Sequence, residues 1–231
     1  MTAARLIEPE LLDALTPDDP RAQRARRDLV RVNAVMGHTA IWQRIMRAGF
    51  PPGRSPSIIA ELGAGDGTLL LRLARTWAAH WPQVKVYLVD RQPDVTDHTL
   101  NAFAELGWQA EVRAADVRDW IATTPPVDLI LTNLFLHHFH DEHLSELLQR
   151  IARKTKVFAA CEPRRSSVAL AGSHLLGLIG CGPITRYDAV VSVRAGFSNN
   201  ELTTLWPEKE GWHRREGRAG LFTHTFMARR I

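Results

Sequence analysis

Cysteine and long apolar runs are both scarce in this chain of 231 residues. Its two cysteines, Cys161 and Cys181, cannot form a disulfide framework and lack the spacing of metal ligands, which suits a reducing compartment. No apolar run approaches the roughly 20 residues that a membrane-spanning helix needs. The first residues carry several acidic side chains, unlike a secretory signal. We therefore expect a cytoplasmic protein without a membrane span.

A strong charge of one sign is lacking as well. The formal net charge is +4, and charged residues make up 23% of the chain, which is ordinary for a globular protein. The basic residues are scattered, apart from a cluster at 21–31 and a looser one at 214–218. Because phosphate-binding surfaces need basic residues clustered on one face, we expect no nucleic-acid partner.

Apolar segments of strand length alternate with amphipathic helical segments from residue 57 onward. This alternation predicts an α/β fold with a mostly parallel, doubly wound sheet of seven strands. Residues 1–53 are predicted to form a helical N-terminal lid, and residues 54–231 the α/β domain, with a helical insertion at about 163–200. The last two strands are spaced as an antiparallel hairpin. The predicted strands are 57–62, 84–89, 109–115, 127–132, 157–161, 212–216 and 221–228.

Residues 61–68 place glycines at the turn between the first strand and the first helix. Glycine at such a turn lets the backbone approach a ligand closely, because no Cβ stands in the way. A dinucleotide-binding turn would have its third glycine at position 68. Position 68 is a threonine, and the third glycine is Gly67. The turn therefore indicates a nucleotide-like ligand without a pyrophosphate.

Acidic residues follow the next two predicted strands. Asp90 lies at the tip of the second strand, where a carboxylate can accept hydrogen bonds from both hydroxyls of a ribose. Asp116 follows the third strand and could accept from an adenine amino group. Each has a structural alternative: a loop or helix cap for Asp90, and the N-cap of the following helix for Asp116.

These features and residues 128–139 together resemble the class I S-adenosylmethionine-dependent methyltransferases. The resemblance covers about residues 57–161 and is greatest to the small-molecule branch related to ubiquinone and menaquinone methyltransferases. Residues 186–197 are also similar to methyltransferases encoded beside type III polyketide synthases. The resemblance implies a Rossmann-like class I methyltransferase fold, with S-adenosylmethionine as cofactor and S-adenosyl-L-homocysteine as product. The expected cofactor contacts are Glu61, Gly63, Ala64, Gly65, Asp90, Arg91, Asp116, Val117, Asn133 and Leu134.

The fourth strand is followed by a loop with paired histidines, His137 and His138. Ligands of doubly wound sheets bind beyond the carboxyl ends of the strands, so this loop should face the transferred methyl. An imidazole can accept the proton that a phenol or enol loses on methylation. We predict His138 as the general base, with His137 as the second catalytic candidate. Packing, or capping of the helix that starts near Asp141, is the alternative role for both.

Two kinds of site are not expected in this loop. It lacks an Asn-Pro-Pro-aromatic tetrapeptide, which would have resembled the motif of the amino-group methyltransferases of DNA, RNA and protein. It also lacks the Glu-x-x-His helical spacing of a metal site, and His137 and His138 are adjacent. We therefore predict neither a nucleobase amine as acceptor nor a bound metal.

The N-terminal lid and the insertion are the segments expected to enclose the acceptor. The insertion contains leucines that could line an apolar pocket, and Met36 of the lid is expected to contact the acceptor. Arg164, Arg186 and Arg194 could pair with an acidic or phenolate acceptor, or could form ordinary surface ion pairs.

The expected function is methylation of a small, hydrophobic, hydroxylated acceptor, such as a phenol, a quinol precursor or a polyketide, with oxygen as the favoured acceptor atom. One alternative is an RNA-modifying methyltransferase, suggested by the basic cluster at Arg24, Arg26 and Arg27. The other is a scaffold that binds the cofactor without turnover.

Overall fold

One sheet organises the chain in the computed structural model, which describes residues 4–16, 18–207 and 210–231. Its strand order is β3-β2-β1-β4-β5-β7-β6. β1 to β5 pair in parallel, whereas β7 is antiparallel to both β5 and β6. The predicted parallel sheet with a terminal hairpin is therefore confirmed. The strands are β1 (Ile58–Leu62), β2 (Lys85–Asp90), β3 (Gln109–Ala114), β4 (Val127–Asn133), β5 (Thr155–Pro163), β6 (Trp212–Ala219) and β7 (Thr223–Arg230).

Helices cover both faces of this sheet. Several begin at residues whose side chains accept a hydrogen bond from the first turn, as Asp19, Thr96 and Asp116 do. Within the described residues, the α-helices are α1 (Pro20–Val35), α2 (His38–Gly49), α3 (Thr68–Trp77), α4 (Asp97–Glu105), α5 (Val117–Thr123), α6 (Asp141–Lys154), α7 (Ser167–His174), α8 (Pro183–Ala195) and α9 (Glu201–Leu205). None of them is long and apolar enough to cross a membrane.

The central strands are buried on both faces, which explains why their sequences are almost continuously apolar. Alternate strand residues enter two core clusters. One cluster joins the sheet to α2, α3 and α4 and contains Trp42 and Phe103. The other joins it to α5, α6 and α9 and contains Leu147 and Trp206. The carboxyl ends of the parallel strands are thereby held at one edge, where the site is built.

The N-terminal 53 residues do not form one uniform lid. α2 packs in the main core, since Ile41, Trp42 and Met46 share a cluster with residues of β1 and β4. The predicted boundary at residue 53 therefore does not separate α2 from the core of the α/β domain, because the apolar face of α2 is buried against the sheet. α1 instead contacts α2 and α8.

α8 lies in the predicted helical insertion, but the sequence pattern did not predict its bounds. Its residues fall in the predicted insertion, but its apolar positions form no clear stripe, because polar Thr185 and Asp188 are buried on it together with Val191. Pro183 at its first turn is compatible with a helix start, since that position needs no N–H donor. The buried polar residues of α8 have partners in the N-terminal part of the chain, as described below.

Candidate active site

A cavity of about 880 Å³ lies at the carboxyl ends of β1, β2 and β4. The turns after these strands form one end, which we call the donor end. The other, called the acceptor end, is formed by residues 7–13, α1, α7, α8 and the histidine loop. The structure brings all ten predicted cofactor residues to the cavity: Glu61, Gly63, Ala64, Gly65, Asp90, Arg91, Asp116, Val117, Asn133 and Leu134.

The glycine turn after β1 depends on backbone conformations that favour glycine. Gly63, Gly65 and Gly67 have φ values of +74°, +55° and +71°. A Cβ at Gly63 would lie 2.8 Å from Cγ of Phe135, closer than two such atoms can approach. The Gly63 N–H donates to the carbonyl of Val89 at 2.9 Å, which ties the turn to the end of β2.

Asp90 and Asp116 combine a structural role with a place in the cavity wall. The carboxylate of Asp90 accepts from the N–H of Gly65 at 2.9 Å and of Gln92 at 2.8 Å, and so fixes the glycine turn against β2. Asp116 caps α5 by accepting from the N–H of Arg118 at 2.9 Å. Hydrogen bonding from the Arg118 side chain also keeps the pKa of Asp116 below its usual value. Each carboxylate oxygen has a second lone pair, so capping leaves capacity to bind a ligand.

Glu61 is the clearest sign that the donor end binds something cationic or rich in N–H groups. It lies in β1, is 2% exposed and lines the cavity. Its Oε2 has no hydrogen-bond partner among the described residues. Burial, aided by the charges of Asp66 and Asp90, raises the pKa of its carboxyl well above the usual value. A buried polar atom without a partner costs free energy, which a ligand with a suitable donor would recover.

His137 lies between two carboxylates. Its Nδ1 is 2.8 Å from Oε2 of Glu162, and its Nε2 is 3.3 Å from Oε1 of Glu10. Burial alone would lower the pKa of His137, but hydrogen bonds to both carboxylates raise it to about 9. His137 is therefore an imidazolium at neutral pH, and it has no free lone pair with which to accept a proton.

Glu162, at the end of β5, organises the whole histidine loop. It is fully buried and accepts hydrogen bonds from the backbone N–H groups of Phe135, Leu136 and His137 at 3.2, 2.9 and 3.3 Å. The loop is thus fixed by a carboxylate on the neighbouring strand. Sequence analysis did not identify Glu162, although its position at the end of a predicted strand was a usable signal.

His138 differs from His137 in its exposure, its hydrogen-bonding partners and its charge. Its side chain is 30% exposed and lines the cavity. Its Nδ1 lies 3.6 Å from Oδ2 of Asp13. Burial, together with the positive charge of His137, lowers the pKa of His138 below its usual value. The imidazole is therefore neutral at neutral pH, which is the form that can accept a proton.

The same cluster has the composition of a cation site, because Glu10, His137 and His138 offer ligand atoms within 4.8 Å of one another. Both ring nitrogens of His137 already face carboxylates, however. The hydroxyl of Ser192 also donates to Glu10. Ion pairs and hydrogen bonds between described residues thus account for the arrangement.

Residues 5–13, which we call the N-terminal arm, complete the acceptor end. Arg5 donates to the carbonyl of Phe139 at 3.0 Å, lies 4.2 Å over the ring of Phe197 and pairs with Asp141. Further along the arm, the N–H groups of residues 11 and 12 donate to the carboxylate of Asp188 at 2.7 and 3.1 Å. Sequence analysis considered the acidic residues of the arm only as evidence against a secretory signal, and so missed their role.

The predicted acceptor-binding arginines lie elsewhere. None of Arg164, Arg186 and Arg194 lines the cavity. Arg186 and Arg194 are exposed, and Arg194 lies 3.7 Å from Glu8. The insertion turns these positions outward because α8 presents Asp188 and Ser192 to the arm. The acceptor-binding role of these three arginines therefore stays a prediction that the cavity lining does not support. Met36 does line the cavity, and the arginines that line it among the described residues are Arg26, Arg91 and Arg118.

The fold and the domain are those of known methyltransferases. Residues 59–157 match the family model described as a methyltransferase domain. Trans-aconitate 2-methyltransferase of Mycolicibacterium gilvum (strain PYR-GCK) is 34% identical over 96 residues, which are 42% of this chain. The match spans 33% of the length of that relative.

Solved structures resemble the chain over nearly its whole length. The plantazolicin methyltransferase BpumL, in complex with a triazolic desmethylPZN analog and SAH, has a TM-score of 0.68 at 12% identity, and the match covers 92% of each chain. The mitomycin 7-O-methyltransferase MmcR has a TM-score of 0.58 at 20% identity, and the match covers 95% of this chain and 60% of that one. Identities this low show the fold alone.

The matched domain and the strand order agree with each other. The chain contains a methyltransferase domain at residues 59–157, and it has the fold of the solved methyltransferase structures. The predicted fold class is confirmed, and S-adenosylmethionine stays the predicted cofactor. The residues present fit that cofactor, because the described residues leave open space beside Gly65 in the glycine turn and Glu61 offers an unpartnered buried carboxyl.

Proposed function

We propose that this protein transfers a methyl group from S-adenosylmethionine to a hydroxyl oxygen of a small, largely apolar acceptor, with His138 as the general base. A phenol, a quinol precursor or a polyketide has the required chemistry. The observation that carries the proposal is the position of a neutral imidazole, His138, in the wall of the cavity that also contains the donor turns.

The cofactor would supply an electrophilic methyl on a sulfonium. The acceptor oxygen forms the new bond to carbon as the carbon–sulfur bond breaks, and its proton passes to the neutral ring of His138. Asp13, 3.6 Å from Nδ1, then stabilises the imidazolium that results. His137 cannot take this role, because it is already protonated between Glu10 and Glu162.

The walls of the acceptor end suit an apolar molecule. Leu29, Val30 and Val32 of α1 face the cavity, as do Val193 of α8 and Phe222 of the hairpin turn. Apolar walls of this kind bind the body of an acceptor and exclude water from the reacting atoms. Much of the rate of a displacement reaction comes from such alignment.

The test is transfer of radiolabelled methyl to a panel of hydroxylated aromatic acceptors. His138→Ala is expected to lower kcat/KM by about 100-fold or more, the usual contribution of a general base. The affinity for S-adenosylhomocysteine should change less than twofold, because His138 belongs to the acceptor end. The matched control is His143→Ala, which removes an exposed histidine of α6 outside the cavity.

The pH dependence provides a second readout. In the wild type, kcat/KM should rise with pH through a pKa below the ordinary value for histidine, because burial and His137 lower the pKa of His138. That rise should disappear in His138→Ala. A rate within about threefold of wild type at every pH would rule out His138 as the base. Failure of the protein to bind S-adenosylmethionine or S-adenosylhomocysteine by calorimetry would contradict the proposed function as a whole.

A further inference from the structure

The acceptor end of the cavity is unusually acidic. The arm contributes Glu8, Glu10 and Asp13 to its lining, and α8 contributes Asp188. Burial raises the pKa of Asp188 to about 6, so its carboxyl is still charged at neutral pH. Arg26, the arginine of α1 in the cavity wall, lies 3.4 Å from Asp94.

The positive charges near these carboxylates are already engaged. His137 is one imidazolium shared by two carboxylates, those of Glu10 and Glu162. Arg5 pairs with Asp141 and donates to backbone carbonyls, and the arginine facing Glu8 is the exposed Arg194. These pairings either involve carboxylates outside the cavity or share one charge between two carboxylates. The other arginines of the cavity, Arg91 and Arg118, lie at the donor end, so the arm and α8 leave the acceptor end with excess negative charge.

Two carboxylates in particular form no ion pair with an arginine or lysine among the described residues. Asp13 faces His138, which is neutral before the reaction, and the charge of Arg91 acts on Asp13 without forming an ion pair with it. Asp188 accepts two backbone N–H groups of the arm, which hold it in place without cancelling its charge. An anionic group that entered between Asp13 and Asp188 would lose hydration, and the like charges of the two carboxylates would repel it in surroundings of low polarity.

We infer that the acceptor end selects an uncharged or cationic acceptor with an apolar body and rejects carboxylates, and that the N-terminal arm is the specificity element. The inference rests on the proposed function, because it describes the acceptor of that same site. The apolar side chains of α1 hold the body of the acceptor, while Glu10 and Asp13 exclude anions. Arg5 and Asp188 fix the arm in position near its two ends.

The inference is tested by binding, on protein saturated with S-adenosylhomocysteine. The probes are 4-butylphenol, 4-butylbenzylamine and 4-butylbenzoate, which share one apolar body and differ in charge. Their dissociation constants are measured by calorimetry at pH 7.5. The phenol and the amine should each bind at least tenfold more tightly than the benzoate. The double variant Glu10→Gln, Asp13→Asn should reduce this preference at least fivefold.

A matched double variant, Glu105→Gln, Asp119→Asn, removes two exposed carboxylates outside the cavity and should keep the wild-type preference. The wild-type ratio is informative even if the arm variant does not fold. Benzoate binding as tight as phenol binding, or no binding of any probe, would overturn the inference. Because S-adenosylhomocysteine binding is measured first, its loss would count against the proposed function and is distinguishable from a failure of selectivity.

Discussion

The two ends of the cavity are built in different ways. At the donor end, Gly63 follows β1 directly, and Asp90 and Asn133 are the last residues of β2 and β4, so their positions are set by the sheet. At the acceptor end, Glu10 meets His137, and the backbone of Leu11 meets Asp188, across more than a hundred residues of sequence. The donor end therefore depends on local structure, and the acceptor end on long-range contacts. Under the proposed function this difference matches the tasks of the two ends, because methyltransferases share the donor whereas their acceptors vary.

The largest effect should come from breaking the donor end locally. Gly63→Val places a Cβ against the ring of Phe135 at a residue with positive φ, so the turn must open. We expect the dissociation constant for S-adenosylhomocysteine to rise about 100-fold or more, which corresponds to about 2.7 kcal/mol. Calorimetry measures this change directly.

The control for backbone strain is Gly53→Val. Gly53 has a φ of +83°, but a Cβ there meets nothing within 4 Å, and the residue lies outside the cavity. It should cost stability and leave the affinity for S-adenosylhomocysteine unchanged. An affinity within threefold of wild type in Gly63→Val would show that the donor end tolerates a side chain at this turn.

A second variant tests Glu162, whose hydrogen bonds fix the histidine loop. Glu162→Gln removes a fully buried charge that binds His137 and three backbone N–H groups. Loss of one partner from a buried pair costs roughly 3 kcal/mol of unfolding free energy. We expect a loss of this size in urea unfolding and a fall in kcat/KM of at least tenfold, because the histidine loop is no longer fixed.

The chain offers a matched control in a second buried pair. Glu216 lies 2.8 Å from Nε2 of His224 and accepts from the backbone N–H of Leu202 at 3.0 Å, outside the cavity. Glu216→Gln should lower stability by a similar amount and change kcat/KM less than twofold. If both variants lost activity equally, the effect of Glu162 would reflect stability alone.

The same contrast explains what the sequence could predict. The strands, the glycine turn and Asp90 follow from patterns of a few residues, and all reach the predicted places. For Asp116, the cap and a place in the cavity wall are both observed. Glu10 and Asp188 could not be predicted, because their partners lie far along the chain and no local periodicity encodes them. The bounds of α8 within the predicted helical insertion escaped prediction for the same reason, since its buried Asp188 faces the arm.

The smallest effects are expected from arginines that lie outside the acceptor end of the cavity. Arg186→Ala and Arg194→Ala remove exposed guanidinium groups outside the cavity, and exposed ion pairs such as that of Arg194 with Glu8 contribute little. Each should change the KM for the acceptor less than twofold. Met36→Ala shortens a side chain that lines the cavity and should raise this KM about fivefold, or about 1 kcal/mol. A larger effect of either arginine than of Met36 would mean that the exposed face of the insertion, rather than the wall of the cavity, contacts the acceptor.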